Sequence, residues 1–166
     1  MSIIKRNNFQ TYNFTIEHYI NLKNNNKLVF QSLYQRDLVW NMEQKKSFIE
    51  NICNNVPFGS IIIKRPIDEI DYYEIIDGQQ RINTVLEFIN SSFPIFDNIF
   101  YKNFEKVDVA LFERILVTTI DVLNFSEQEI VSYYITFNSL GLRHTIEDIE
   151  KAKKYLQIIQ NKPNIT

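Results

Sequence analysis

Apolar residues along the chain fall into short runs and into stripes of helical spacing. Ile16, Tyr19, Ile20 and Leu22 follow Thr15 at helical intervals, predicting a short amphipathic helix that ends at the asparagines 24–26. Leu28-Val29-Phe30 predicts a strand. Asn41 is a candidate N-cap, with Glu43 in the first turn of a helix whose buried face is Phe48, Ile49, Ile52 and Cys53. Asn54-Asn55 and Pro57 stop that helix, and Pro57-Phe58-Gly59 makes a turn. Ser60 to Lys64 is β-branched and reads as a buried strand, hairpin-paired with Tyr72–Ile76 across a polar loop at 66–71. Ile82, Val85, Leu86 and Ile89 form the core stripe of a helix over 82–90. Ile115 to Leu123 predicts another strand. Ser126-Glu127-Gln128-Glu129 is a capping box opening a helix through about Phe137, with Gly141 suited to a left-handed C-terminal position. Thr145 to Asp148 caps a last helix, whose apolar stripe is Ile149, Ala152, Tyr155, Leu156 and Ile159.

Two stretches lack such periodicity. Residues 1–13 read as an extended arm. Residues 91–107 read as irregular and aromatic, and Phe93, Phe96, Phe100, Tyr101 and Phe104 are expected to fold onto the core in preference to stacking bases. His18 reads as a surface residue and Trp40 as core at a helix entrance. Four or so strands with short hairpins among five helices predict an α+β fold, not a doubly wound parallel sheet.

Composition narrows the class. The 166 residues suit one domain, and 45% hydrophobic with 23% charged residues is ordinary for a soluble globular protein. No window approaches a membrane span, and MSIIKRNNF lacks the apolar run of a signal peptide, so a cytoplasmic protein is expected with no membrane partner. Cys53 is the single cysteine, which excludes an intrachain disulfide and a thiolate metal cluster. A net charge of −2 argues against a broadly basic nucleic-acid coat but allows a local groove. Phosphate-loop, dinucleotide-fingerprint and HExxH motifs are absent, and two distant histidines exclude a His-rich metal site.

The chemistry concentrates at Tyr73-Glu74-Ile75-Ile76-Asp77-Gly78-Gln79-Gln80-Arg81, an apolar strand running through a glycine turn into a helix. Unpaired N–H groups of a helix's first turn, aided by the macrodipole, favour an anion there. Gly78 permits a sharp turn and close ligand approach. Asp77, Gln79, Gln80 and Arg81 surround that point, and Thr84, one turn on, either shares the ligand or hydrogen-bonds within the helix. The plainer alternative is a capped turn with a surface arginine. Arg36 reads as an ion pair with Asp37 or a helix end in preference to ligand binding. Asn138, Arg143 and His144 gather at a junction between helices, where local capping competes with a binding role.

The succession Tyr34-Gln35-Arg36…Val39-Trp40, Ile76-Asp77-Gly78-Gln79-Gln80-Arg81 and Phe137-Asn138-Ser139…Gly141…His144-Thr145…Asp148-Ile149 resembles the GmrSD-type N-terminal (DGQQR motif) domain family of the ParB/sulfiredoxin-like superfamily, over roughly 14–156. The resemblance implies a single ParB-like α+β domain over 1–166, with a small mixed sheet and packed helices. It also implies a nucleotide-phosphate pocket in proteins of DNA restriction and phage defence. Asp77, Gln80 and Arg81 would be its catalytic residues, and Asp77 would also contact Mg²⁺ or another divalent cation. Gln35, Arg36, Gly78, Gln79, Thr84, Asn138, His144 and Thr145 would bind a nucleoside triphosphate of unknown base, with Gln79 or Gln80 positioning the attacking water. DNA and a nuclease partner protein are the implied macromolecular partners. Leu33 stands where relatives often carry proline, and the HNH-type C-terminal nuclease domain is absent from the 166 residues, so cleavage by that domain does not carry over. The leading expectation is a Mg²⁺-dependent triphosphatase. A DNA endonuclease in the same pocket and a non-catalytic module that docks on DNA or a nuclease are the alternatives.

Overall fold

A computed structural model describes residues 9–30, 33–34, 37–65, 72–122, 125–139 and 146–161, with backbone alone at 137–139, 146 and 148. In chain order the elements are β1 (Phe9–Thr15), α1 (Ile16–Asn24), β2 (Leu28–Val29), α2 (Met42–Cys53), β3 (Ser60–Lys64), β4 (Tyr73–Asp77), α3 (Gln79–Ile89), a 3₁₀ turn (Tyr101–Asn103), α4 (Lys106–Glu113), β5 (Leu116–Val122), α5 (Glu127–Ser139) and α6 (Ile146–Gln160). The strands form one open mixed sheet in the order β1-β5-β3-β4-β2. β1 pairs antiparallel with β5, β5 parallel with β3, β3 antiparallel with β4, and β4 parallel with β2. The fold is α+β, as the element pattern predicts.

Alternation along the central strands divides the interior into two cores. Successive strand residues face opposite sides. Ile61, Ile63 and Ile75 therefore enter one cluster with Ile16 and Tyr19 of α1, Ile49 and Ile52 of α2, Ile82, Val85 and Phe88 of α3, and Phe112 of α4. Ile62 and Ile76 enter the other with Ile130, Val131 and Tyr134 of α5 and Ala152 and Ile159 of α6. Burial on both faces explains why β3 is a continuous isoleucine run.

The N-terminal stretch and the segment before β5 depart from expectation. The N-terminal stretch contributes strand β1, an edge strand in register with β5 from Phe9↔Val122 to Thr15↔Leu116. Its polar sequence, FQTYNFT, lacks clean alternation, and only pairing with β5 makes it a strand. Helix α4 was not expected either. Val107, Val109 and Leu111 mimic a two-residue period, while Val107 and Leu111 are exposed and Phe112 supplies the buried contact. The aromatic segment before α4 folds inward as expected. Phe88 meets Phe93, Tyr101, Phe104 and Phe112, each at 5.7 Å between ring centres.

Local signals hold where side-chain hydrogen bonds enforce them. Asn41 and Gln44 cap each other at the start of α2, each backbone N–H donating at 2.9 Å to the other's side-chain oxygen. Ser126 and Glu129 do the same for α5. Cys53, expected on the buried face of α2, is exposed because the helix ends there.

His18 also departs from expectation. Its ring lies against Phe14, 4.1 Å between ring centres, and edge-on to Tyr19 and Tyr73. Nε2 is buried without a hydrogen-bond partner among the described residues, and burial lowers the pKa from its ordinary value of 6.5. The folded state thus favours the neutral ring. Its stabilisation is complete above pH 6.5 and is lost as pH falls from there through the lower folded value. Between pH 7.5 and 5 the melting temperature should fall more for the natural protein than for His18→Phe. Equal falls in differential scanning fluorimetry would refute this assignment.

Candidate functional site

β4 ends at Asp77, and the chain turns into α3 through Gly78, whose φ of 96° lies in the left-handed region. A Cβ at Gly78 would come within 2.2 Å of Ile61 Cδ1 and 3.2 Å of Arg81 Nη2, so both conformation and space demand glycine. The first helical bonds are donated by Arg81 N and Ile82 N to Gly78 O, both at 3.1 Å. Gly78 supplies no side-chain cap, and the first turn holds no acidic residue. This leaves the positive end of the α3 dipole without a carboxylate inside the helix to neutralise it.

Arg81 folds back over the turn and donates from Nη2 to Asp77 Oδ2 at 2.9 Å, with side chains 17% and 24% exposed. On its other side lies Gly59, φ 87°, where a Cβ would stand 2.5 Å from Arg81 Nη1. Sequence reasoning placed Gly59 in a turn but not at the site. The signal was present in the scarcity of glycine, since two of the chain's three glycines flank this one guanidinium.

The glutamines of the motif are turned toward the protein. Gln79 Nε2 donates to Ile75 O at 3.3 Å, tying the start of α3 back to β4. Gln80 Oε1 accepts from both Val39 N and Trp40 N at 3.1 Å, while its Nε2 donates to Asp37 O at 3.0 Å. Both amides hold backbone in this structure. Thr84 is fully buried and donates to Gln80 O at 2.7 Å, the within-helix alternative.

The described part of the first motif meets β4 and α3, and helix α5 meets β4. The 37–40 segment is clipped to α3 by Gln80, and Tyr34 donates to Glu74 of β4 at 3.2 Å. Tyr34 also packs edge-on against Tyr134 of α5, with ring centres 5.3 Å apart. Tyr133, on the same helix, has its pKa raised by burial and then by the negative charge of Asp77. Toward the start of β4, Tyr34, Lys64, Glu74, Glu127 and Tyr155 border an open cavity of about 360 Å³. There the Glu127 carboxylate, which accepts the Tyr155 hydroxyl, acts with burial and Glu74 to push the Tyr155 pKa up to about 12. Gln35, Arg36, His144 and Thr145 lie outside the described residues, as does the side chain of Asn138, which sits on α5.

Among the described residues no three His, Cys, Asp or Glu side chains gather as a metal site. Asp77 is the carboxylate at this turn, and its Oδ2 is engaged by Arg81. The buried carboxylate of Asp121 lies elsewhere and binds Arg65, whose guanidinium also covers the Tyr12 ring. No described helix is long and apolar enough to cross a membrane.

Comparison with known proteins adds the family. Residues 16–165 match the model described as GmrSD restriction endonuclease, N-terminal domain, and the chain belongs to that family. No curated protein matches the chain.

Proposed function

Taking membership of the GmrSD N-terminal family as the premise, we propose that this domain binds a nucleoside triphosphate with Mg²⁺ at the β4–α3 turn and hydrolyses it in the service of DNA restriction or phage defence. One observation carries the reading: the N-terminus of α3 has no side-chain cap and holds Arg81 beside it, already oriented by Asp77. A phosphate at that point would accept from first-turn N–H groups not already donated within the helix and from the guanidinium, a charge-assisted arrangement. Binding would draw Arg81 partly away from Asp77 toward the phosphate oxygens. Asp77 is then the carboxylate that would hold Mg²⁺ or orient the attacking water. Mg²⁺, when bound, supplies charge neutralisation on the phosphates. Gln79 and Gln80 act by position, keeping α3 on β4 and the 37–40 segment on α3. Gln35, Arg36, Asn138, His144 and Thr145 complete the proposed pocket from the flanking motifs, and DNA or a nuclease protein is the proposed partner.

The test is a thermal-stabilisation screen of the four common NTPs with Mg²⁺, followed by phosphate release. At a hundred times the dissociation constant the gain should be about 2.7 kcal/mol, and Arg81→Ala should erase most of it. Stabilisation by none of the four, with no turnover, sinks the proposal. A nucleotide-sensing module without turnover is the second reading. It is favoured by the engagement of Gln80's amide with the 37–40 backbone and of Asp77 with Arg81. Stabilisation without phosphate release would select it.

A further inference from the structure

We propose that Gly59, at the start of the β3 hairpin, is a positioning residue for Arg81. Its missing side chain forms one wall of the slot that aims the guanidinium across the N-terminus of α3. The slot has three sides. Asp77 Oδ2 accepts from Nη2 at 2.9 Å, Gly78 lies beneath Nη2, and Gly59 lies against Nη1, where a Cβ would stand at 2.5 Å. The carboxylate holds one end of the guanidinium by charge, and the glycine admits the other by absence of bulk. The two turns come from different strands of one antiparallel pair, β3 and β4, whose register shifts between Ile62 and Ile63.

A side chain at Gly59 requires the guanidinium to shift, because its Cβ would stand 2.5 Å from Nη1 while Asp77 Oδ2 holds Nη2 at 2.9 Å. Positive φ at Gly59 adds backbone strain to any substitution. That strain is independent of Arg81, and the clash is not. A double-mutant cycle separates them.

The slot stands on geometry alone. Its consequence for ligand affinity rests on the nucleotide reading above, and the experiment keeps the two apart. Melting temperatures and the Arg81 Nε–H NMR resonance are measured for the natural protein, Gly59→Ala, Arg81→Ala and the double variant. Affinity for the stabilising NTP with Mg²⁺ is then measured for the natural protein and Gly59→Ala. We expect Gly59→Ala to shift the Arg81 resonance, to lower the melting temperature more when Arg81 is present than when it is alanine, and to weaken NTP binding at least tenfold. An unmoved resonance, or equal melting losses in both backgrounds, overturns the proposal. If the natural protein binds no NTP, the nucleotide reading fails while the resonance and melting cycle still decide the role of Gly59.

Discussion

Phe88→Ala is expected to destabilise the domain by about 3–5 kcal/mol, a large share of the total stability of a small domain. Phe88 is fully buried and is the hub on which Phe93, Tyr101, Phe104 and Phe112 converge. Truncation opens a cavity that the surrounding rings cannot fill without disturbing the contacts among Tyr101, Phe104 and Phe112. Phe96→Ala, at a ring 48% exposed, should cost far less, about 0.5 kcal/mol. Urea denaturation of both variants checks the contrast. A loss below about 1 kcal/mol for Phe88→Ala would mean that the ring cluster is not an ordered core, and would reopen base stacking as a role for the segment.

Gly78→Ala should cost about 2–4 kcal/mol, combining left-handed backbone strain with overpacking. The added methyl would press on Ile61, which is fully buried in the larger core and cannot retreat into solvent. The same methyl would crowd Arg81 Nη2, so any NTP-dependent stabilisation should fall with it. Chemical denaturation and the thermal screen measure the two effects separately. A variant with natural stability would show that the turn can relax, against the packing described.

Much of the fold was legible because its signals are local. The isoleucine run of β3, the Asn41 and Ser126 caps and the stripe of α3 each depend on residues a few positions apart, and the structure retains all of them. β1 and α4 were not legible. β1 is a strand because β5 presents seven paired positions to it, and α4 exposes the valine and leucine that confuse its period.

The site divides the same way. The sequence by itself determined the turn at Gly78, the helix that follows it and the grouping of Asp77 and Arg81 around that turn. Only the tertiary structure decided that both glutamine amides hold backbone and that Gly59, from the turn before β3, walls the arginine. It also packed Tyr34 against Tyr134 and β4, and set Tyr133 within the field of Asp77. Spacing along a helix or through a tight turn constrains neighbours a few residues apart. Contact across strands and between layers follows from sheet pairing and core packing, which no short stretch of chain contains.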